Sequence, residues 1–456
     1  MMKGATMNNE SFTERMAEAV TNFRYRDFPD EVVSKTKYLV IDLLGCGIAG
    51  SVAPEATIIR DFVRETNSPA EATVWGSWEK SSDMNSAMAN AYNSHILEMD
   101  DIVGAAFLHL GLPVIPAAIA MAEKYKKSGK QVIEAILAGY EAEERVGEAL
   151  GASHYYFWHT TGTAGPFGAA AAAGRLIGLT ADQMAEAFGS AGSQSAGLWQ
   201  FLDDNAMTKY LHAAKAGYNG MLAALLAKKG LTGARKILEG EKGLLKATSK
   251  TQNPEKAFES LGSEYKLMSS EIKLWPSCGH TYSPIQACLN LKEKYGIDAK
   301  DIDKVDVETY LTATQVCKNN ETFDSVRAVK FSISYCTSLA LLFGKIEMGM
   351  FNRLVADPGV RALAAKTKVS AARDLDELYP PKKPARVTIR CGDKEFTETV
   401  DYAKGHPLNP LTGQEICDKY MGMTTDVIGR EKAERLLDRL INLEKIEDIG
   451  TLFANL

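Results

Sequence analysis

The sequence predicts a mainly α fold, with a large all-helical domain and a smaller α+β lid domain inserted before the C-terminal helices. Three observations predict it. Apolar residues recur at helical spacing up to about residue 270, strand-like alternation appears between 304 and 402, and helical spacing returns after Gly405-His-Pro407. The boundaries read as 1–270 plus 404–456 for the helical domain and 271–403 for the other. At 456 residues the chain is long enough for two separate cores.

Each element follows in order. The apolar run Tyr38 to Leu44 leads into Gly45-Cys-Gly47-Ile-Ala-Gly50, which spells G-x-G-x-x-G. A dinucleotide fingerprint would open a βαβ unit with parallel strands to follow. Helical signals follow instead, so these small residues read as a surface for close helix packing. Ser128-x-x-Gln131 resembles a capping box ahead of Val132, Ile133, Ile136, Leu137 and Tyr140, which fall on one stripe. Thr180-x-x-Gln183 repeats the signal before Met184, Ala187 and Phe188. Between them, Gly165 to Gly174 is rich in glycine and alanine and suits the centre of a helical domain. Lys304 to Thr312 alternates as a strand, and the apolar stretch Thr337 to Phe343 reads as helix. Arg386 to Cys391 and Glu395 to Tyr402 flank Gly392-Asp-Lys394 as a hairpin, and Gln414 to about Leu443 is helical again.

Composition excludes several classes. Hydrophobic residues make up 45% and charged residues 24%, and the formal net charge is -6. That balance argues against non-specific nucleic-acid binding, which needs a basic face. It allows an anionic substrate, since a few local cations dominate a pocket. Met1 to Phe28 has no apolar core of a secretory signal, and no apolar run approaches a membrane span, so a cytoplasmic protein without membrane contact is expected. The seven cysteines show no C-x-x-C spacing and no iron–sulfur grouping, and read as thiols in a reducing compartment.

Seven histidines remain as the carriers of chemistry. His95 stands three residues before Glu98, followed by Asp100 and Asp101, and helical spacing would put His95 and Glu98 on one face. The acids are too close in sequence to converge as metal ligands, so no metal is expected; solvated acids at a helix end are the plainer reading. His109 precedes Leu110-Gly-Leu-Pro113, a helix start whose free N–H groups welcome a carboxylate. His159 lies between Phe157-Trp158 and the glycine–alanine helix, a setting suited to acid–base work near neutral pH. Lys209 and His212 share a helix face, and His280 sits in a turn between the two domains. His154 and His406 read as structural or surface residues.

Several stretches together resemble the MmgE/PrpD family, which includes 2-methylcitrate dehydratase, cis-aconitate decarboxylase and iminodisuccinate epimerase. They are His95 to Asp101, Gly139-Tyr-Glu141 with Arg145, Trp158 to Gly162, Lys209 to His212, Pro276 to His280, Phe331 to Tyr335 and Pro407 to Thr412. The resemblance implies a homodimer whose site lies in the cleft between the domains and uses neither metal nor organic cofactor. It implies His159, His280, Lys209 and His109 as catalytic residues, with Glu98, Asp100 and Thr160 against the substrate. This sequence has Glu98 where the family usually has Asp, Ile102 where it usually has Thr, and Leu110 where His-Pro is common. The implied chemistry is proton transfer beside a carboxylate of a small di- or tricarboxylate. Dehydration of a hydroxy acid is the favoured outcome, with decarboxylation, epimerisation or a purely ligand-binding role as alternatives.

Overall fold

Local sequence sets the helix starts. Ser128 and Gln131 exchange backbone and side-chain hydrogen bonds as a complete capping box, and so do Thr180 and Gln183. A third box, at Ser11 and Glu14, was not among the sequence signals. Caps of this kind contribute about 1 kcal/mol each. The computed structural model describes residues 11–104, 106–204, 206–317 and 323–456, so residues 1–10 of the stretch read for a leader lie outside it.

The described chain divides into two units. The first runs to Ile96, continues over Asp100–Ser270 and is completed by Gly413–Leu456; the second is Leu97–Met99 with Glu271–Thr412. Helices of eight or more residues in the first unit are α1 (Phe12–Asn22), α2 (Asp30–Gly50), α3 (Ala56–Glu65), α4 (Asp83–Ile96), α5 (Gly111–Lys124), α6 (Gly129–Leu150), α7 (Thr160–Leu176), α8 (Ala181–Gly192) and α9 (Thr208–Lys228). A short antiparallel pair, β1 (Ala72–Thr73) and β2 (Lys80–Ser81), lies between α3 and α4. The second unit contains α10 (Tyr282–Tyr295), α11 (Ile333–Phe343) and α12 (Pro358–Ala365); α13 (Gly413–Ile428) and α14 (Arg430–Ile441) then return to the first. None of the helices among the described residues is long and apolar enough to cross a membrane.

Small residues hold the helical unit together. The G-x-G-x-x-G run lies inside α2, as its packing reading required. A Cβ at Gly47 would come within 2.7 Å of the Trp75 ring, and one at Gly50 within 1.9 Å of the Asn93 carbonyl on α4. On α9, a Cβ at Gly220 would lie 2.4 Å from the Pro166 carbonyl and 2.6 Å from Ala169 on α7. The C-terminal α13 covers α2: Gly45 lies against Met423 and Tyr420, and the buried Asp42 and Lys419 pair at 2.5 Å.

The second unit is built on a four-stranded sheet of order β4-β3-β5-β6, comprising β3 (Lys304–Thr309), β4 (Thr367–Ala371), β5 (Ala385–Cys391) and β6 (Lys394–Val400). β3 runs parallel to β4 and antiparallel to β5, with Val305 opposite Ile389 and Val307 opposite Val387. These four side chains are buried. The predicted hairpin turns at Gly392, whose φ of +58° lies in the left-handed region that favours glycine. Two sequence readings ran too long. β3 stops at Thr309, and Leu311–Val316 forms a short helix in place of the strand read to Thr312. The C-terminal helix is broken at Gly429, φ +82°, into α13 and α14. Edge strand β4 carried no signal, because its residues Thr367-Lys-Val-Ser-Ala371 do not alternate in burial.

If close approach of α7 and α9 depends on Gly220, Gly220→Val should destabilise the chain by about 1–3 kcal/mol through overpacking. Equilibrium urea unfolding measures this; an unchanged midpoint would mean that the helices can separate at little cost.

Candidate active site

The end of α4 builds the centre of the site. His95 is the last residue but one of that helix, and Glu98 adopts φ +58° just beyond it, so the two do not share a helical face as their spacing suggested. The acids are not solvated either: Glu98, Asp100 and Asp101 are all buried. Asp100 takes both neighbouring imidazoles, with its Oδ1 3.0 Å from His95 Nδ1 and its Oδ2 2.5 Å from His109 Nδ1. Asp100, expected against the substrate, supports the two imidazoles with one oxygen each. Burial alone would raise its pKa, but the two imidazoles hold it well below the ordinary value, and it is a carboxylate. Burial, opposed by Asp100, lowers the His109 pKa to about 3, so this ring is neutral. A neutral imidazole bonded to a carboxylate through Nδ1 donates its one N–H there. His109 therefore presents a lone pair at Nε2.

Asp101 does different work. It accepts hydrogen bonds from the Gly111 N–H and the Tyr140 hydroxyl, each at 3.1 Å. The first-turn amide of α5 thus goes to Asp101, where the sequence reading offered that helix end to a substrate carboxylate. Burial first, then the charges of Asp100 and Asp42, raise the Asp101 pKa to about 7.

His159 is the N-cap residue of α7 and is 1% exposed. Its backbone N–H donates to the Gly197 carbonyl at 2.9 Å, and its ring Nδ1 lies 3.3 Å from Nδ1 of His212 on α9. Its aromatic wall is Trp199 and Phe201, with ring centroids 5.0 and 6.5 Å away. Phe157 and Trp158 do not form that wall; Phe157 is exposed, and Trp158 stacks on His154. The rings of His95 and His159 lie 6.3 Å apart and nearly parallel, and those of His109 and His159 lie 6.0 Å apart. Burial, then the Lys209 charge, lowers the His159 pKa well below its ordinary value. Lys209, near the start of α9, also depresses His109 and His212, which places its ammonium in the same neighbourhood.

The first unit thus gathers His109, His159 and Lys209, with Thr160 buried beside them in sequence as the first residue of α7. Spacing alone had not singled out Thr161, whose hydroxyl accepts the His109 N–H at 3.0 Å, or the roles of His95, His212, Trp199 and Tyr140. His154 is structural, bonding Thr163 at 2.8 Å and Thr248 at 3.0 Å. The Nε2 atoms of His95 and His159 are buried and make no hydrogen bond among the described residues. Nitrogens of His95, His109 and His159 lie within 4.8 Å of one another, a set that could take a metal ion. The nearby Lys209 ammonium opposes a cation there and favours an anionic ligand.

Glu98 and His280 belong to the second unit. Glu98 is paired at 3.5 Å with Lys273, whose ammonium also donates to the Glu98 carbonyl at 3.1 Å. His280 is half-buried, with Nδ1 2.5 Å from the Tyr310 hydroxyl, and Tyr310 stacks on Tyr379 at 4.3 Å. Burial first, then Lys383 and Lys273, lowers its pKa to about 3. His406 lines a small cavity of this unit, packs its ring tilted against Tyr402 at 4.5 Å and accepts the Leu408 N–H at 3.1 Å.

The MmgE/PrpD N-terminal domain pattern matches residues 14–257, and the C-terminal domain pattern matches residues 275–444. The chain is 27% identical to cis-aconitate decarboxylase of Aspergillus terreus, over 96% of this chain and 94% of that protein. It is 26% identical to cis-aconitate decarboxylase of Homo sapiens, over 97% and 94%. It is 21% identical to 2-methylcitrate dehydratase of Salmonella typhi, over 92% of each.

Neutral buried histidines give stability a definite pH dependence. His109 and His154 have folded pKa values of about 3 and about 4, below the unfolded value of about 6.5, so the unfolded chain binds more protons as pH falls. Their contribution is complete above about pH 6.5 and is lost on acidification at about 1.4 kcal/mol per pH unit for each. Asp100 adds a further loss below about pH 4, where its unfolded form takes up a proton and the folded one resists it. Asp101, Glu143 and Glu144, whose folded pKa values burial raises, oppose this loss, so the histidine contribution is read by difference. From pH 7.5 down to 4, unfolding midpoints of His154→Gln should fall less steeply than those of the wild type; equal slopes would mean that the His154 ring is charged in the fold.

Proposed function

Since the chain belongs to the MmgE/PrpD family, we propose that it is a lyase acting on a small di- or tricarboxylate by histidine proton transfer, with decarboxylation as its favoured outcome. One observation carries this reading. A single carboxylate, Asp100, orients His109 with a free Nε2 lone pair, while the buried His159 and the half-buried Lys209 stand close by. Such a site offers a base, an acid and a fixed cation, which is what chemistry through a carbanion beside a carboxylate needs.

In the proposed reaction, the Lys209 ammonium attracts a substrate carboxylate. The bond from carbon to the departing carboxyl group breaks, carbon dioxide leaves, and the electron pair stays on carbon. Conjugation with a neighbouring carboxylate, beside the Lys209 charge, spreads that pair. His159 Nε2–H then delivers a proton to carbon. The relatives favour this branch over the dehydration expected from sequence, since the cis-aconitate decarboxylases are 27% and 26% identical and the 2-methylcitrate dehydratase 21%. Dehydration remains as the second reading, supported by the 2-methylcitrate dehydratase relative. There, His109 Nε2 would take the proton beside the carboxylate, and an imidazole N–H would protonate the departing hydroxyl. His280 stays a proposed catalytic residue through the family pattern Pro276-Ser-Cys-Gly-His280.

The test is incubation of the purified chain in D₂O with cis-aconitate, 2-methylcitrate, citrate and malate-type hydroxy acids, followed by ¹H NMR. Decarboxylation is read as carbon dioxide release with one deuterium entering the product; dehydration is read as an alkene. His159→Gln should lower turnover by roughly 10²-fold or more. Lys209→Met should raise KM as well as lower kcat, because a lost cation weakens the hold on the substrate. Absence of any reaction from folded protein across the panel would remove the lyase reading, and full activity in His159→Gln would remove His159 from it.

A further inference from the structure

His159 has its catalytic nitrogen inside the protein, yet a decarboxylase must take up one proton from solvent in every turnover. We propose that His212 is a positioning residue that supplies it: His212 Nδ1–H bonds to His159 Nδ1, fixes His159 as the Nε2–H tautomer, and relays a proton from solvent. This inference rests on the lyase reading above.

The geometry points to a linked pair. The two Nδ1 atoms lie 3.3 Å apart, and two like ring nitrogens can bond only if one carries a proton and the other does not. The tautomer of one ring therefore dictates that of the other. His159 is 1% exposed, whereas His212 is half-buried, so His212 is the member of the pair that reaches solvent. His95 and His109 offer His159 no such connection, because Asp100 occupies the Nδ1 atom of each.

Gly197 shows that the pair is built into the fold. Its carbonyl holds the His159 backbone N–H at 2.9 Å, and a Cβ at this position would lie 3.3 Å from both Cγ and Nδ1 of His212. Its φ of +134° is one that L side chains rarely adopt. Phe201 closes the pair from the side, its ring 5.4 Å from that of His212.

Charges around the pair set the direction. Lys209 stands one turn before His212 on α9, while His95 and His109 face His159, with the Asp100 carboxylate behind them. The lysine disfavours a standing imidazolium, so the proton passes through the pair without resting on it. In the step, His159 Nε2–H goes to the carbanion and His212 Nδ1–H moves to His159 Nδ1. Solvent protonates His212 Nε2, so one proton enters and one reaches carbon. Once the product leaves, water in the vacated site protonates His159 Nε2 while the Nδ1 proton returns to His212 Nδ1 and His212 Nε2–H is released to solvent, which restores the starting tautomers with a net uptake of one proton per turnover.

The test uses the full chain, ¹⁵N-labelled at histidine, with His159→Gln identifying the His159 signals. In the wild type, ring nitrogen shifts near pH 7.5 should report His159 as Nε2–H with an accepting Nδ1. In His212→Phe that single tautomer should be lost, and exchange of the His159 ring proton with water should slow by about tenfold. Either a wild-type His159 protonated at Nδ1, or exchange unchanged in His212→Phe, would overturn the proposal. These readouts need no substrate, so they stand even if every carboxylate in the panel fails and the lyase reading falls. Where turnover is seen, His212→Ala should lose about 10²-fold and recover with added imidazole; loss without recovery in a folded variant would mark His212 as structural only and overturn the relay.

Discussion

The site depends on one buried negative charge. Asp100 is fully enclosed, and burial would drive it to protonate were it not held by two imidazoles. Because it stays ionised, it holds the Nδ1 atoms of both His95 and His109, and the neutral His109 spends its single proton there, which leaves its Nε2 as a lone pair. Its neighbour Asp101 carries the complementary load. With its pKa raised to about 7 by burial and by Asp100, it anchors the start of α5 and the Tyr140 hydroxyl. Two adjacent acids thus divide the labour: one fixes the charge of the site and the other fixes the backbone that carries it.

Small residues set the precision of that arrangement. Gly47 and Gly50 admit the Trp75 ring and the α4 backbone to α2, and Gly220 admits α7 to α9. The last contact brings together the helix whose N-cap is His159 and the helix that carries Lys209 and His212. Gly197 performs the same service for the two imidazoles at closer range. Catalytic groups are useful only within a fraction of an ångström of their working positions, so glycine at these places is a constraint on chemistry as much as on packing.

Much of the architecture was legible in the sequence because its signals are local. Capping boxes at Ser128 and Thr180 and the turn at Gly392 act over a few residues and appeared as read, and the alternation in β3 appeared over Lys304–Thr309, short of the Thr312 end read for it. Edge strand β4 was invisible, since its pairing with β3 comes from tertiary context and not from its own pattern. The site divided in the same way. Histidines and Lys209 were recognisable as residue types in unusual settings, but the role of Asp100 was not, because partners on α4 and before α5 become neighbours only after folding. His212 was noted only for its spacing from Lys209; its contact with His159 spans 53 positions in sequence. The reading of solvated acids failed for a related reason: a carboxylate can be buried once imidazoles and amides satisfy it, and no residue beside it in sequence announces them.

The division of the chain between its units also bears on biosynthesis. The first unit needs Gly413–Leu456, which is made after the whole of Glu271–Thr412, while the second takes Leu97–Met99 from a stretch made long before it. Until α13 emerges, the face of α2 around Gly45 has no cover, and Asp42 waits for its partner Lys419. The second unit can be completed once Thr412 is made, whereas the first stays open until α13 and α14 follow. The nascent helices must persist as an unfinished bundle through the synthesis of more than half the polypeptide, so newly made protein is the form most exposed to aggregation and most dependent on chaperones.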